Sequence, residues 1–481
     1  MKRIALSSLV ILGLTASTAG LGTFACADSL TTGTDAAAAA AAPPADVFPP
    51  VTTTLPNGMK IICRYEKNTP LVAINVMVRA GQDQETAQNA GIASYVARTL
   101  LSSTTENTPE QMTTDINDIG GNVDAVRQPD WLQVTALTVP DKFADAALLV
   151  TNSLKNADFE PDVVDSAKSD IASDIDGADA DLFQTAYQNI RTTLYGPSLY
   201  GLPALGTQQS LRSITRSQLQ DYYRKNFVPS HFTIVIDGDV TPDQALTTIS
   251  NDLDPFPMDG RGSRYGDSIP VLPVPTSDFK PVHIVQPDLQ EVVSMVGYQA
   301  APMSSDDYPA LLVANTVLGG MKSSRLFTDV RETRGLAYEL GTFYNPQLSA
   351  GDIIGYVFAA PQQPAPGAKD TTPITKILCD AIIKQFELLK TTPPTDTELS
   401  RAKHYLIGSY LIKHETLQDR ANLLGTAAIG TAAGADFDTN YAKYINAVTA
   451  ADVQRVATKY FNHPAICTIE PDTNPDSVGK D

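Results

Sequence analysis

Apolar and polar residues along this chain alternate between two periods. Short runs such as Met59-Lys60-Ile61-Ile62-Cys63 and Val72-Ala73-Ile74-Asn75-Val76-Met77-Val78 predict strands. Between them come stretches with helical spacing. Ile92, Val96, Leu100 and Leu101 mark one helix, entered through Gly91. Residues 397–411 and 435–460 are expected to form further helices. Leu55-Pro56-Asn57-Gly58 is a turn leading into the first strand.

The pattern also repeats. Ser94-Tyr95-Val96-Ala97-Arg98-Thr99-Leu100-Leu101 matches Leu311-Leu312-Val313-Ala314-Asn315-Thr316-Val317-Leu318, and Ser213 to Leu219 matches Ala447 to Val453. Each of the later stretches predicts a capped helix. It is followed by Phe227-Val228-Pro229 or Phe461-Asn462-His463-Pro464, then a β-branched strand, Phe232–Ile236 or Ile466–Ile469. Two copies of one α+β unit account for this. The reading is α+β: two homologous domains, each a mixed or antiparallel sheet with helices packed mainly on one face.

Composition sets the boundaries. Met1-Lys2-Arg3, the apolar run Ile4 to Leu14 and Ala25-Cys26-Ala27 fit a signal peptide over residues 1–27, cleaved near Ala27. Thr23-Phe24-Ala25 is a poor lipobox for Cys26. Export, to the periplasm, is therefore expected, and no later segment is long and apolar enough to span a bilayer. Residues 28–50 form an Ala/Pro-rich leader expected to be disordered. The first domain spans 51–262, a Pro-rich linker 263–280, the second domain 281–470 and a tail 471–481. Of 481 residues 43% are hydrophobic, and the net charge is −19. That balance excludes nucleic acid and anionic membrane surfaces as partners. After signal removal Cys63, Cys379 and Cys467 remain, so at most one disulfide closes within the chain, and three buried thiols are the simpler reading.

Several motifs, in order, carry a resemblance. They are Leu55-Pro56-Asn57-Gly58, Gly120-Gly121-Asn122-Val123, Tyr195-Gly196-Pro197, and Pro229 before Val235-Ile236-Asp237-Gly238-Asp239-Val240. In the second half, Leu318-Gly319-Gly320-Met321-Lys322-Ser323-Ser324-Arg325-Leu326-Phe327 leads into Val330-Arg331-Glu332-Thr333-Arg334-Gly335-Leu336-Ala337-Tyr338. From about Thr53 to Glu470 the chain resembles the insulinase/pitrilysin zinc peptidases (family M16), in the short branch similar to mitochondrial processing peptidase. The resemblance implies one half of a clamshell whose two halves enclose a chamber. One half of such an enzyme brings the zinc helix and the other brings substrate-binding residues.

That zinc helix carries H-x-x-E-H, two imidazoles and a base. Here the three positions hold Ser94, Ala97 and Arg98, and the family's downstream glutamate aligns with Asp174. Zinc needs three N, S or O ligands and an open position. Arg98 would instead repel Zn²⁺ by about 6–7 kcal/mol at 5 Å and an effective dielectric of 20. The five histidines, His231, His283, His404, His414 and His463, are scattered and read as solvent-facing or turn residues. No cofactor is expected in this chain, with zinc placed in a partner.

Arg331 and Tyr338 do keep the Arg-x6-Tyr spacing that the family uses to contact substrate. Their guanidinium and phenol suit a developing oxyanion. The plain alternative pairs Arg331 with Asp329 or another surface acid and leaves Tyr338 as a half-buried strand residue. Gly335 is expected to cap a helix in the left-handed region, and Arg325 to be structural. Gly319 and Gly320 form either a helix C-cap or a substrate-recognition loop. The resemblance therefore implies a non-catalytic, substrate-binding subunit of a heterodimeric peptidase, partnered by a chain with H-x-x-E-H and acting on unstructured peptides. Two alternatives remain: an inert structural or binding protein of this fold, and an active peptidase with relocated ligands.

Overall fold

The structure is a computed structural model, and it describes residues 48–253, 271–361 and 372–472, apart from Ser198 and Asp288. The expected signal peptide, most of the leader, residues 263–270 of the linker and nearly all of the tail lie outside the described residues. Residues 271–280 carry no helix or strand. At the leader's end, Phe48 stacks on Tyr65 with ring centroids 5.2 Å apart.

Strands β1 (Val51–Thr54), β2 (Lys60–Tyr65), β3 (Val72–Val78), β4 (Asn122–Arg127), β5 (Leu132–Thr138) and β6 (Phe232–Gly238) build the first sheet. The second holds β7 (Val282–Gln286), β8 (Val292–Ala300), β9 (Glu339–Pro346), β10 (Gly351–Ala359) and β11 (Ala465–Pro471). Their orders are β1-β2-β6-β3-β5-β4 and β7-β11-β8-β10-β9. In each sheet one pair is parallel, β2 with β6 and β7 with β11, and the other pairs are antiparallel. Apart from β1, the sheets have one topology, so the repeat seen in the sequence is a repeated fold.

The helices of the first half are α1 (Ile92–Leu100), α2 (Pro109–Asp118), α3 (Phe143–Asn156), α4 (Pro161–Ala180), α5 (Leu182–Tyr195), α6 (Gln208–Ser213), α7 (Arg216–Asn226) and α8 (Pro242–Leu253). Those of the second are α9 (Tyr308–Asn315), α10 (Ile374–Thr391), α11 (Asp396–Ile412), α12 (Leu417–Gly430), α13 (Ala435–Thr439), α14 (Tyr441–Ala447) and α15 (Ala450–Tyr460). The two capped helices predicted from the repeat are α7 and α15. Thr215 accepts from the Gln218 N–H and Thr449 from the Asp452 N–H, each within a capping box. The single helix expected over 435–460 is instead three, α13 to α15. Val448 is extended and Thr449 caps a fresh start, and Asn440 ends α13.

One face of each sheet packs on its own helices. Ile61, Ile74, Val76, Ile234 and Ile236 meet α1, α3, α4, α7 and α8, while Val296, Tyr298, Ile353 and Val357 meet α9, α10 and α15. The opposite faces are covered reciprocally. Ala186, Ile190 and Leu194 of α5, from the first half, lie on Val293, Met295 and Ile354 of the second sheet. Ala421 and Leu424 of α12, from the second half, lie on Ile62, Ala73 and Val235 of the first. Sandwiching on both faces explains why all of β3 and β8 is buried.

Glycine lets these crossing helices come close. A Cβ on Gly297 of β8 would sit 2.5 Å from Ile190 Cγ2, and one on Gly425 of α12 would sit 2.7 Å from Met77 Sδ.

Buried polar links fix the same seam. Arg64 Nε donates to Asp237 at 3.1 Å and its Nη1 to Asp438 at 3.1 Å, and Tyr410 donates to Asp438 at 2.6 Å. Asp130 accepts the Tyr200 O–H and, at 3.1 Å, the Leu348 N–H. Cys63, Cys379 and Cys467 are free and buried.

Candidate functional site

Gly91 enters α1 at φ 89°, and a Cβ there would fall 2.3 Å from the Leu205 carbonyl oxygen. A glycine offers no side chain to cap the helix, and a residue from outside supplies the cap. The Glu85 carboxylate accepts the N–H groups of Gly91 at 3.0 Å and Ala93 at 2.9 Å. Burial nevertheless pushes Glu85 up to about 7. Nothing local in the sequence marks this residue, which lies in a loop ahead of the helix.

The three motif positions are occupied by closed contacts. Ser94 Oγ donates to the Ala204 carbonyl at 2.8 Å. Ala97 is buried. Arg98 forms an ion pair with Asp174 of α4, the carboxylate aligned with the third ligand. The guanidinium, which has no acceptor capacity, thus neutralises the Asp174 carboxylate. These residues do not fit zinc. Among the described residues no group of three or more His, Cys, Asp or Glu is disposed to hold a metal ion.

His404, on α11, is exposed, and the other four histidines have partners. His414 Nε2 lies 3.0 Å from Asp438 and His283 Nε2 3.1 Å from Glu470. His463, at φ 57°, faces Asp278. His231 corrects the solvent-facing expectation. It closes the Pro229–His231 turn but is buried, with Nδ1 2.8 Å from the Asn226 carbonyl.

The second group lies beside β9, the free edge of the other sheet. Helical turns widen to π geometry over Thr316–Gly320 and Phe327–Thr333. Gly335 then takes φ 62°, the expected left-handed residue, and turns the chain toward β9. This brings Arg331 back onto Tyr338, where Nη1 donates to the Tyr338 carbonyl oxygen. The guanidinium also lies 5.2 Å from the centroid of Phe327, one helical turn earlier.

Arg331 does not pair with Asp329. That carboxylate accepts from Arg334 at 3.0 and 2.9 Å and from Gln385 at 3.0 Å. Tyr338 is 47% exposed and stands just before β9. Burial, with the negative charge of the Glu291 and Glu339 carboxylates, pushes its ionisation up. Arg325 is structural: it grips Glu398 at 2.7 and 2.9 Å, which holds that carboxylate down at about 2. Gly319 packs under β9, where a Cβ would meet Thr342 Cγ2 at 2.5 Å, while Gly320 is partly exposed beside Asn315.

The structure thus joins Arg98 to Asp174 and Arg331 to Tyr338, and it hangs the two groups on different sheets. Glu85 and Phe327 were not singled out from the sequence. Phe327 was legible as the i−4 neighbour of Arg331 on a helix.

Two α+β units whose sheets share one topology define a two-domain peptidase-type fold. The chain belongs to the insulinase family, peptidase family M16. The insulinase (peptidase family M16) model matches residues 60–208, and the peptidase M16 inactive domain model matches residues 213–406.

An uncharacterized zinc protease of Mycobacterium bovis is 25% identical over 430 residues, covering 86% of this chain and 92% of its own. The mitochondrial-processing peptidase subunit beta of Dictyostelium discoideum is 22% identical, over 88% of this chain and 89% of its own. Among solved structures, a peptidase M16 inactive domain from Pseudomonas fluorescens superposes with a TM-score of 0.78. It is 18% identical and the match covers 89% of this chain and 98% of that one. A protease from Helicobacter pylori gives 0.76 at 17% identity, over 88% and 99% of the two chains.

Proposed function

We propose that this chain is the non-catalytic, substrate-binding subunit of a heterodimeric M16 metallopeptidase. The Arg98–Asp174 ion pair carries the reading, because it occupies two ligand positions with mutually neutralising charges. H-x-x-E-H occurs nowhere in the 481 residues. The catalytic partner is a chain of similar fold that keeps H-x-x-E-H and supplies the zinc and the activated water. This chain supplies Arg331, an exposed guanidinium fixed by Phe327 and the Tyr338 carbonyl, to hold a peptide carbonyl. The substrates are unstructured peptides, and the proposed location is the periplasm, after export.

Co-expression with an H-x-x-E-H partner tests the reading. Arg331→Ala is expected to lower kcat/KM of the assembled complex by about 10²–10³-fold, the usual loss for one preorganised donor. Full activity from the variant in complexes shown intact by size exclusion would reduce this chain to a structural scaffold.

A further inference from the structure

A guanidinium is donor-only, and the edge formed by its Nε and Nη2 matches the two oxygens of a carboxylate. This chain uses that edge repeatedly. Arg325 grips Glu398 through Nε at 2.7 Å and Nη2 at 2.9 Å, and Arg334 grips Asp329 at 3.0 and 2.9 Å. Arg64 holds Asp237 by the same two nitrogens. In Arg331 the edge is open. Its Nη1 is committed to the Tyr338 carbonyl oxygen and the guanidinium lies 5.2 Å from the Phe327 centroid, while Nε and Nη2 have no hydrogen-bond partner among the described residues. Asp329, Glu332 and Glu339 are near in sequence, yet none of them bonds it, and Asp329 is taken by Arg334 and Gln385. The residue is exposed.

The contacts with Phe327 and the Tyr338 carbonyl fix the side chain before any ligand arrives, so less binding energy is lost in ordering it. A peptide carbonyl offers one oxygen and engages the open edge incompletely. A carboxylate offers two, in one plane and at the spacing of the fork. We infer that the Nε–Nη2 fork of Arg331 is a carboxylate-binding subsite, and that the peptides this chain takes present an acidic side chain or a free C-terminus to it. The inference rests on the proposed substrate-binding role and narrows it, from any peptide carbonyl to peptides with a carboxylate at one position.

The test is binding of a fluorescent unstructured peptide to the full chain. The parent peptide is uncharged and amidated at its C-terminus. A series places one aspartate at each position in turn, with asparagine at the same position as the control, and a further peptide carries the free C-terminal carboxylate. The aspartate series reports a side chain and the free acid reports a chain end. One of these carboxylates is expected to tighten Kd by about 5–10-fold, between the value of an exposed ion pair and that of a charge-assisted hydrogen bond. Arg331→Ala should abolish the preference. Arg331→Lys, which keeps the charge without the fork, should lose most of it.

No preference for a carboxylate at any position in the wild type overturns the subsite, and so does a preference that survives Arg331→Ala. A preference kept in full by Arg331→Lys does the same, because charge alone would then account for it. If Arg331→Ala weakens neutral and acidic peptides equally, the substrate-binding role stands and only the carboxylate subsite fails. If it weakens neither, the role itself fails and this inference with it.

Discussion

The reciprocal crossing of α5 and α12 predicts that removing a side chain from one half destabilises the other. Leu424 belongs to the second half in sequence, is fully buried, and packs on Ile62, Ala73 and Val235 of the first sheet. Leu→Ala in a core costs about 2–5 kcal/mol, more where the site cannot collapse. Gly425 already brings α12 to van der Waals contact with Met77 and Val235. The helix has little room to settle further, which places Leu424→Ala in the upper part of that range, at about 3–5 kcal/mol. With a urea m-value on the order of 5 kcal/mol/M for a chain this long, the midpoint should fall by roughly 0.6–1 M.

The assay is built into the chain. Its single tryptophan, Trp131, lies at the start of β5 in the first half and is 7% exposed. Its emission should report the full shift, coincident with far-UV circular dichroism. Leu411→Ala, at a residue 67% exposed near the end of α11, is the control and should move the midpoint little. A Trp131 transition unmoved by Leu424→Ala, with only the dichroism transition shifted, would refute the reciprocal coupling.

Two further outcomes follow from the charged sites. Burial raises Glu85 from 4.5 and Asp130 from 3.8, each to about 7, so the folded state holds these protons more tightly than the unfolded chain. Their contribution is therefore full below about pH 4 and is lost as pH rises through 7, by an upper bound of about 3–4 kcal/mol each. Urea unfolding at pH 5 and pH 8 should show the loss, Glu85→Gln should flatten it, and stability that rises over that interval would contradict it. The wild-type chain is expected to carry no stoichiometric zinc. The combined variant Ser94→His, Ala97→Glu, Arg98→His should gain weak binding at best, since Asp174 is a methylene shorter than glutamate and new imidazoles there would need partners to orient them. Metal analysis finding about one zinc per wild-type chain would overturn the reading of the site.

Much of this protein was written locally. Periodicity gave β3 at its observed bounds, and the Thr215 and Thr449 caps repeated because a capping box is satisfied within four residues. The left-handed turn at Gly335 was equally legible, since it depends on one backbone position. Tertiary structure decided what long-range contact decides. The break of 435–460 into three helices, the exchange of α5 and α12 between sheets, the Glu85 cap on α1 and the burial of His231 each join segments whose partners no local pattern names. The same holds at the substrate-side pair. Sequence spacing placed Arg331 near Tyr338, but only the fold could turn the chain at Gly335 so that the guanidinium donates to the Tyr338 carbonyl oxygen.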